Sequence, residues 1–341
     1  MAAELDAVVD KYGTPRRTLL MNGKPAATRS RQSADVDLQI ADGPTLVALS
    51  TTGRAVRVEV PEGQQLTAPS RRSKHDAILS TVSTTVRGEA GALTNRGRLV
   101  RFHPVDLPSV PASSVQLGMG VKLHDYIGLA DRSERVIALV ALDDTTPIAL
   151  GTAQGVVKRV VPATVPAKPE MEVIALKPGD EVVGAAPAPD EAELVFVTTD
   201  AQLLRFPAAT VRPQGASAGG MAGVKLSAKG TALFFGAASG DDTVVVTVSG
   251  SEGMIAGADI GRAKISDFSE FPAKGRATGG VRAHGFLRGE DRLTLAWVGP
   301  DPALAVDATG SVRKLPQTLA KRDASGQPLD AVVSSIGRTL V

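Results

Sequence analysis

The sequence contains no cysteine, which excludes disulfides, thiol nucleophiles and thiolate metal sites together. Aromatic residues make up 3 % of the chain. Readers of single-stranded nucleic acid or RNA loops need stacking platforms, so this scarcity of aromatic faces argues against that class. No apolar run reaches the roughly 18 residues that a membrane-spanning helix needs. The opening Met-Ala-Ala-Glu-Leu-Asp lacks the basic and apolar regions of a secretory signal, and a cytoplasmic location is expected. Histidine is scarce: His75, His103, His124 and His284 are scattered without metal-ligand spacing. Neither charge sign dominates, with 38 Lys+Arg against 36 Asp+Glu. A polyanion partner therefore depends on whether cations gather on one face.

Signatures of catalysis are missing as well. No GxSxG, HExxH, phosphate-binding loop or GxGxxG opening a helix occurs. The pairs Asp143–Asp144 and Asp241–Asp242 sit between apolar runs, where acidic turn residues are expected. Lys74, His75 and Asp76 have an acid–base look, but adjacent residues of a strand point to opposite faces. Tyr12 and Tyr126 are expected to pack.

What the chain does have is 43 % hydrophobic residues, 35 glycines and 22 prolines. That mixture suits short strands with frequent turns. Residues 2–12 read as a short helix, because Leu5, Val8, Val9 and Tyr12 fall on one stripe and Gly13 offers a stop. Residues 13–34 are polar and basic (Arg16, Arg17, Lys24, Arg29, Arg31) and read as a linker. We take 1–34 as helix and linker and 35–341 as one repeat domain.

Within that domain a pattern recurs: an apolar run, a Thr/Ser-rich turn with Gly, then a second run ending in Arg or Lys. It appears as LSTTGRAVR (49–57), LTNRGRLVR (93–101), GTAQGVVKR (151–159), VTTDAQLLR (197–205), VSGSEGMIA (248–256) and DATGSVRK (307–314). The turns fall at Gly53, Gly97, Gly155, Ala201, Gly253 and Gly310. Each copy reads as a β-hairpin around a permissive backbone position. Repeats at intervals of roughly 50 residues indicate a propeller-like array, whose units must stack to bury their faces. A second signature alternates with the first, a Gly-rich loop entering a strand. It reads GASAGGMAGVKL at 215–226 and GRATGGVRAHG at 275–285, with weaker forms at 113–123 and 170–180.

The repeats also align cations. Arg57, Arg101, Arg159, Arg205 and Lys314 share one place in five of six copies, and Lys122, Lys225 and Arg282 follow Gly-Val pairs or their equivalent. Equivalent places on a ring of blades share a rim, so these charges are expected to form arcs. Lys158, Arg276 and Arg313 lie beside them. Duplex DNA carries one charge per roughly 1.7 Å of axis and suits such an arc. The plainer alternative is that these cations cap strands or pair with acids of the next blade.

The sequence resembles the C-terminal domain of the A subunit of bacterial type IIA topoisomerases, DNA gyrase and topoisomerase IV. The hairpin signature resembles the family's blade pattern. RPQGASAGGMAGVKL (212–226) and FPAKGRATGGVRAHGFLRGED (271–291) resemble its inter-blade loops, and AELDAVVDKYGTPRRT (3–18) the helix and linker ending its cleavage core. The resemblance implies an all-β, six-bladed β-pinwheel that bends duplex DNA around a basic outer edge and presents it to the cleavage core. It implies no catalysis by this chain alone. ATP and Mg belong to other parts of the enzyme. The implied partners are duplex DNA, the ATPase B subunit, and the remainder of the A subunit itself. In gyrase the first blade carries a box reading Gln-Arg-Arg-Gly-Gly-Lys-Gly. Here PSRRSKHD (69–76) keeps Arg71, Arg72 and Lys74 but not the glycines. That departure favours topoisomerase IV over a chirally wrapping gyrase. A protein-binding propeller with solvated rim charges is the rival from another class.

Overall fold

The computed structural model describes residues 2–13, 41–60, 65–67, 73–238, 242–251 and 260–340. The chain divides into two units, Met1–Ile40 and Ala41–Val341. In the first, the helix spans Ala2–Tyr12, and the Gly13 N–H closes its last turn on the Val9 carbonyl at 2.7 Å. Its apolar stripe, Leu5, Val8, Val9 and Tyr12, is exposed. The basic linker residues lie outside the described ones. No described helix is long and apolar enough to cross a membrane.

The described residues of the second unit are nearly all β and include six antiparallel hairpins. They pair Pro44–Ser50 with Arg54–Glu59, Ala90–Thr94 with Arg98–Phe102, and Ile148–Thr152 with Val156–Val160. The later three pair Glu193–Thr198 with Gln202–Pro207, Thr243–Gly250 with Arg262–Asp267, and Ala303–Val306 with Val312–Arg313. Five of the turns place a glycine at φ between 71° and 80°, and the fourth places Ala201 at 58°. The fifth differs from the expectation. Its turn glycine is Gly261 and its second strand starts at Arg262, while Gly253 and the apolar run at 254–256 lie outside the described residues. Counted from Gly261, the aligned position in this copy holds Ile265.

Each hairpin is completed on one side by a strand that follows it at some distance. These are Ile78–Thr85, Val136–Val140, Val182–Pro187, Ala232–Ala238, Arg292–Pro300 and Ser335–Arg338. Each of these six strands packs against the next, and the last packs against the first, so they form a closed inner ring. The opposite edge is completed by short return strands from the following repeat. Val121–Lys122, which comes after the second hairpin, pairs with the first. Glu170–Glu172 likewise returns to the second hairpin, Met221–Ala222 to the third, Val281–Arg282 to the fourth and Gln327–Pro328 to the fifth. The Gly-rich signature is thus a device for exchanging strands between neighbours.

One hydrogen bond repeats around the ring. The turn carbonyls of Gly53, Gly97, Gly155, Ala201 and Gly261 accept from the amides of Leu123, Val173, Val224, Ala283 and Leu329 at 2.8–3.2 Å. The sixth turn, Gly310, accepts from His75 at 2.8 Å, and His75 comes after the first hairpin. The ring therefore closes through the same contact that builds it. Ser335 Oγ also donates to Thr51 Oγ1 at 2.8 Å, an Arg338 Nη2–H donates to Thr81 Oγ1 at 2.7 Å, and Arg338 pairs with Ile78. The first and last hairpins accordingly share one eight-stranded sheet beside four sheets of four strands.

Apolar cores fill the spaces between neighbouring hairpins, built largely from Val, Leu, Ile and Ala. Strands such as Ala90–Thr94 and Val136–Val140 are buried along their whole length because sheets cover both faces. The buried cluster at the seam is smaller: Ala77, Leu304 and Val306 with partly buried Val312. Closure there leans on polar contacts.

A Cβ on Gly310 would stand 2.1 Å from His75 Nδ1, whereas a Cβ on Gly53 meets nothing within 4 Å. Gly53→Ala should lower unfolding stability by about 1–2 kcal/mol, the left-handed backbone cost alone. Gly310→Ala should cost clearly more and raise amide exchange at His75 and 335–338. Urea titration with hydrogen exchange measures both, and equal costs would contradict closure through this contact.

Candidate nucleic-acid interface

Because the return strands lie on the edge opposite the inner ring, their loops form the outer rim. Gly120, Gly220, Gly280 and Gly326 each bring the loop backbone against an outer hairpin strand, where a Cβ would fall within 3.0 Å of that strand's carbonyl region. Glycine is required there by close approach.

The aligned arginines do not stand on this rim. Arg57 and Arg159 are buried, and Arg101 and Arg205 are largely covered. Arg159 is 1 % exposed. Its two Nη groups donate to the carbonyls of Ala188, Ala208 and Val211 and to Asp190 at 2.7–3.1 Å. All four acceptors flank the next hairpin, so Arg159 is a strut between neighbours. Arg205 pairs with Glu193 at 3.2 Å and lies over the Phe268 ring of the following repeat at 4.5 Å. Arg57 pairs with Glu59 at 3.2 Å and Arg101 with Glu89 at 2.9 Å. Arg313 is half-buried against Asp307. The expected arc is corrected for these residues. Arg159 and Arg205 meet the next repeat, the first through a guanidinium that satisfies its carbonyls, whereas Arg57 and Arg101 are held by acids of their own repeat.

Lys158 is corrected in the same way. It is fully buried, and its Nζ donates to the carbonyls of Val173, Gly215, Ala216 and Ala218 at 2.7–2.9 Å. An ammonium has three protons, so four acceptors share them. Burial pushes its pKa down to about 8, which leaves the charged form dominant at neutral pH. Lys264, three residues past its turn like Lys158, donates to the carbonyls of Lys321 and Arg322. Burial lowers it to about 8 as well, against the opposing pull of Asp323 and Glu270. Each lysine pins the backbone of a rim loop from behind. Lys264 was not among the residues expected from sequence, because the misplaced fifth turn concealed its register.

Of the cations expected from sequence, Lys122, Lys225 and Arg282 of the second signature reach solvent, as do Lys74 and Lys314 outside it. Arg276 is half-buried with its guanidinium on the Ala222 carbonyl. Lys122 and Arg282 hold the same register, opposite Arg54 and Gln202. Lys225 does not: the residue paired at that place is Ala222, and Gly223 inserts before the core residue Val224. Arg71 and Arg72 lie outside the described residues. Sequence reasoning missed Arg212, Lys229, Lys274 and Lys321, all exposed on rim loops. For three of them a signal was available, since Arg212, Lys229 and Lys274 flank the Gly-rich stretches at 215–226 and 275–285.

The other candidates are structural. His75 holds φ +70° in a turn and places Nδ1 2.9 Å from Thr52 Oγ1, so the Lys74-His75-Asp76 run is not a strand. Asp76 accepts from the Ser73 amide and hydroxyl, and Asp144 from the Thr146 amide. Tyr126 packs edge-on against Phe102 and donates its hydroxyl to the His103 carbonyl at 2.6 Å.

Three segments, 147–189, 192–234 and 257–291, match the family model described as DNA gyrase C-terminal domain, beta-propeller. The DNA gyrase A protein of Mycolicibacterium smegmatis is 26 % identical over 321 residues, covering 91 % of this chain and 35 % of the relative. Topoisomerase subunit TopoM of the same species is 32 % identical over 149 residues, 42 % of this chain and 18 % of the relative. The chain thus spans about a third of the length of the gyrase relative. Among solved structures, the C-terminal domain of DNA topoisomerase IV superposes with a TM-score of 0.66 at 18 % identity, covering 87 % of this chain and 94 % of that one. The DNA gyrase A C-terminal domain does so at 0.58 and 16 % identity, covering 87 % and 100 %.

Arg159→Ala leaves the buried carbonyls of Ala188, Ala208 and Val211 without their donor and is expected to destabilise the domain by at least about 1–3 kcal/mol. At a temperature where the variant remains folded, its affinity for duplex DNA should match that of the unaltered protein. Calorimetry and fluorescence anisotropy read the two quantities, and a selective loss of DNA affinity would return Arg159 to the interface.

Proposed function

We propose that the chain, which matches the DNA gyrase C-terminal domain model over three segments and is 26 % identical to a DNA gyrase A protein over 91 % of its own length, binds duplex DNA on its outer rim. The observation that carries this reading is the charge of the rim loops. Lys225 and Lys229 follow one Gly-rich return strand, Lys274 and Arg276 precede the next, and Arg282 ends it, with no acid between 212 and 229 or between 271 and 289. Rim contacts of this kind address phosphates and carry little sequence information. A duplex following a curved edge must bend, and smooth bending of 20–30 bp by 40–90° costs of order 1–6 kcal/mol. Contacts spread over several loops can offset that, where a single pocket could not.

In this reading the domain has no chemistry of its own. It serves an ATP-dependent isomerase of bacterial cytoplasm, holding a segment of DNA for the remainder of the A chain of that enzyme and for its B-subunit partner. Lys158 and Lys264 stiffen the loops so that the exposed cations keep a defined path. If the rim is the site, Lys225→Glu, Lys274→Glu and Arg282→Glu together should weaken duplex binding more than tenfold near physiological salt. The salt slope should also flatten by about 0.9 for each phosphate no longer engaged. Unchanged anisotropy titrations would overturn the rim and favour a protein-binding propeller.

Topoisomerase IV and gyrase remain two versions of this role. The missing glycines of PSRRSKHD support the first. One observation favours the second: His75, which takes the place of a glycine in that box, holds φ +70°, so a backbone path suited to glycine is retained. Ligase closure of nicked plasmid with the domain bound distinguishes them. No linking shift is expected for the topoisomerase IV role, and a positive shift would assign gyrase-like wrapping.

A further inference from the structure

The outer rim is not uniformly basic, and its one reversal of sign among the described return strands falls at a defined register. Lys122 faces Arg54, and Arg282 faces Gln202, each one residue past its turn. At the same register of the second hairpin, Glu172 faces Arg98. Glu172 is exposed, as is Glu170 two residues earlier on the same face of the return strand. Glu170 reaches back to Arg98 at 2.7 Å, and Arg98 is also held by Glu134 at 2.6 Å. The local cation is thus committed to carboxylates. Exposed Lys168 and Lys177 bring the rim segment only to neutrality.

We infer that this acidic step ends the DNA path, so that a bound duplex occupies an arc of the rim and leaves the return strand Glu170–Glu172 uncovered. The inference rests on the DNA-binding reading and deepens it by setting where contact stops. A phosphate track laid across Glu172 would bring like charges together well inside the ~8 Å screening length of physiological salt. The loops at 212–229 and 271–289 carry cations without acids, and there the duplex is held most firmly. Around the five hairpins that receive a return strand the exchange repeats without a break in the described backbone, and a charge reversal supplies an end to the path without altering that exchange.

Glu172→Lys places a cation where Lys122 and Arg282 stand, on an exposed side chain, with the backbone pairing to Arg98 intact. Glu172→Gln removes the charge alone. Anisotropy titrations over a series of duplex lengths, repeated at several salt concentrations, read both the shortest saturating duplex and the salt slope. For Glu172→Lys the saturating length is expected to increase and the slope to steepen by about 0.9, one added phosphate contact. Glu172→Gln should fall between it and the unaltered protein. If all three proteins bind DNA with the same saturating length and slope, the acidic step is overturned while the rim reading stands. If the unaltered protein fails to bind duplex with any salt dependence, the rim reading fails and takes this inference with it.

Discussion

The structure depends on an incomplete edge. Each hairpin presents an outer strand whose ladder groups have no partner within its own repeat, and an unpaired edge is a liability in water. The partner arrives from the segment after the next hairpin and ends on a bond from its amide to the turn carbonyl. Turn glycines, Gly-rich loops and the buried residue that follows each return strand all serve that exchange. Five of the six described hairpins have their outer edge paired in this way; the last has no return strand among the described residues and meets the first repeat through the His75 amide on the Gly310 carbonyl. The seam is the one place where the buried cluster between neighbours is small and the contacts are mainly polar.

The same exchange explains why so many cations are buried in a domain read as a polyanion binder. A return strand carries backbone carbonyls into the crevice between neighbouring sheets, and those oxygens need donors where water is excluded. Arg159 and Lys158 answer that need with long side chains and several N–H groups, at the cost of desolvating a charge. Their number contributes to the count of basic residues but not to the field outside. The field comes from shorter excursions on the loops, where Lys225, Lys274 and Arg282 are exposed.

Several parts of this arrangement were legible in the chain. Turns marked by glycine, two alternating signatures and the near absence of aromatics pointed to a ring of small-residue hairpins. The Gly-rich loops pointed to a family and to segments lying between neighbouring hairpins. Three readings went astray for physical reasons. A Gly at 253 lay close enough to the repeat interval to pass for a turn, though Gly261 holds the left-handed backbone. Lys225 follows a Gly-Val pair as Lys122 does, yet Gly223 adds a residue before the core position and shifts it out of register. Arg57, Arg101, Arg159 and Arg205 share a place in the repeat, and sequence cannot say whether a shared place faces solvent or the next repeat.

By itself the sequence determined the local conformations and the period: where the backbone must turn, which runs extend, and which loops need glycine. Those are properties of single residues and their immediate neighbours. Only the tertiary structure decided which edge each return strand completes, that the ring closes, and which cations remain outside. Those outcomes depend on what covers a strand from the adjoining repeat, and that covering is set by pairing between residues more than one repeat apart in the chain, as Arg54 with Lys122 and Gln202 with Arg282.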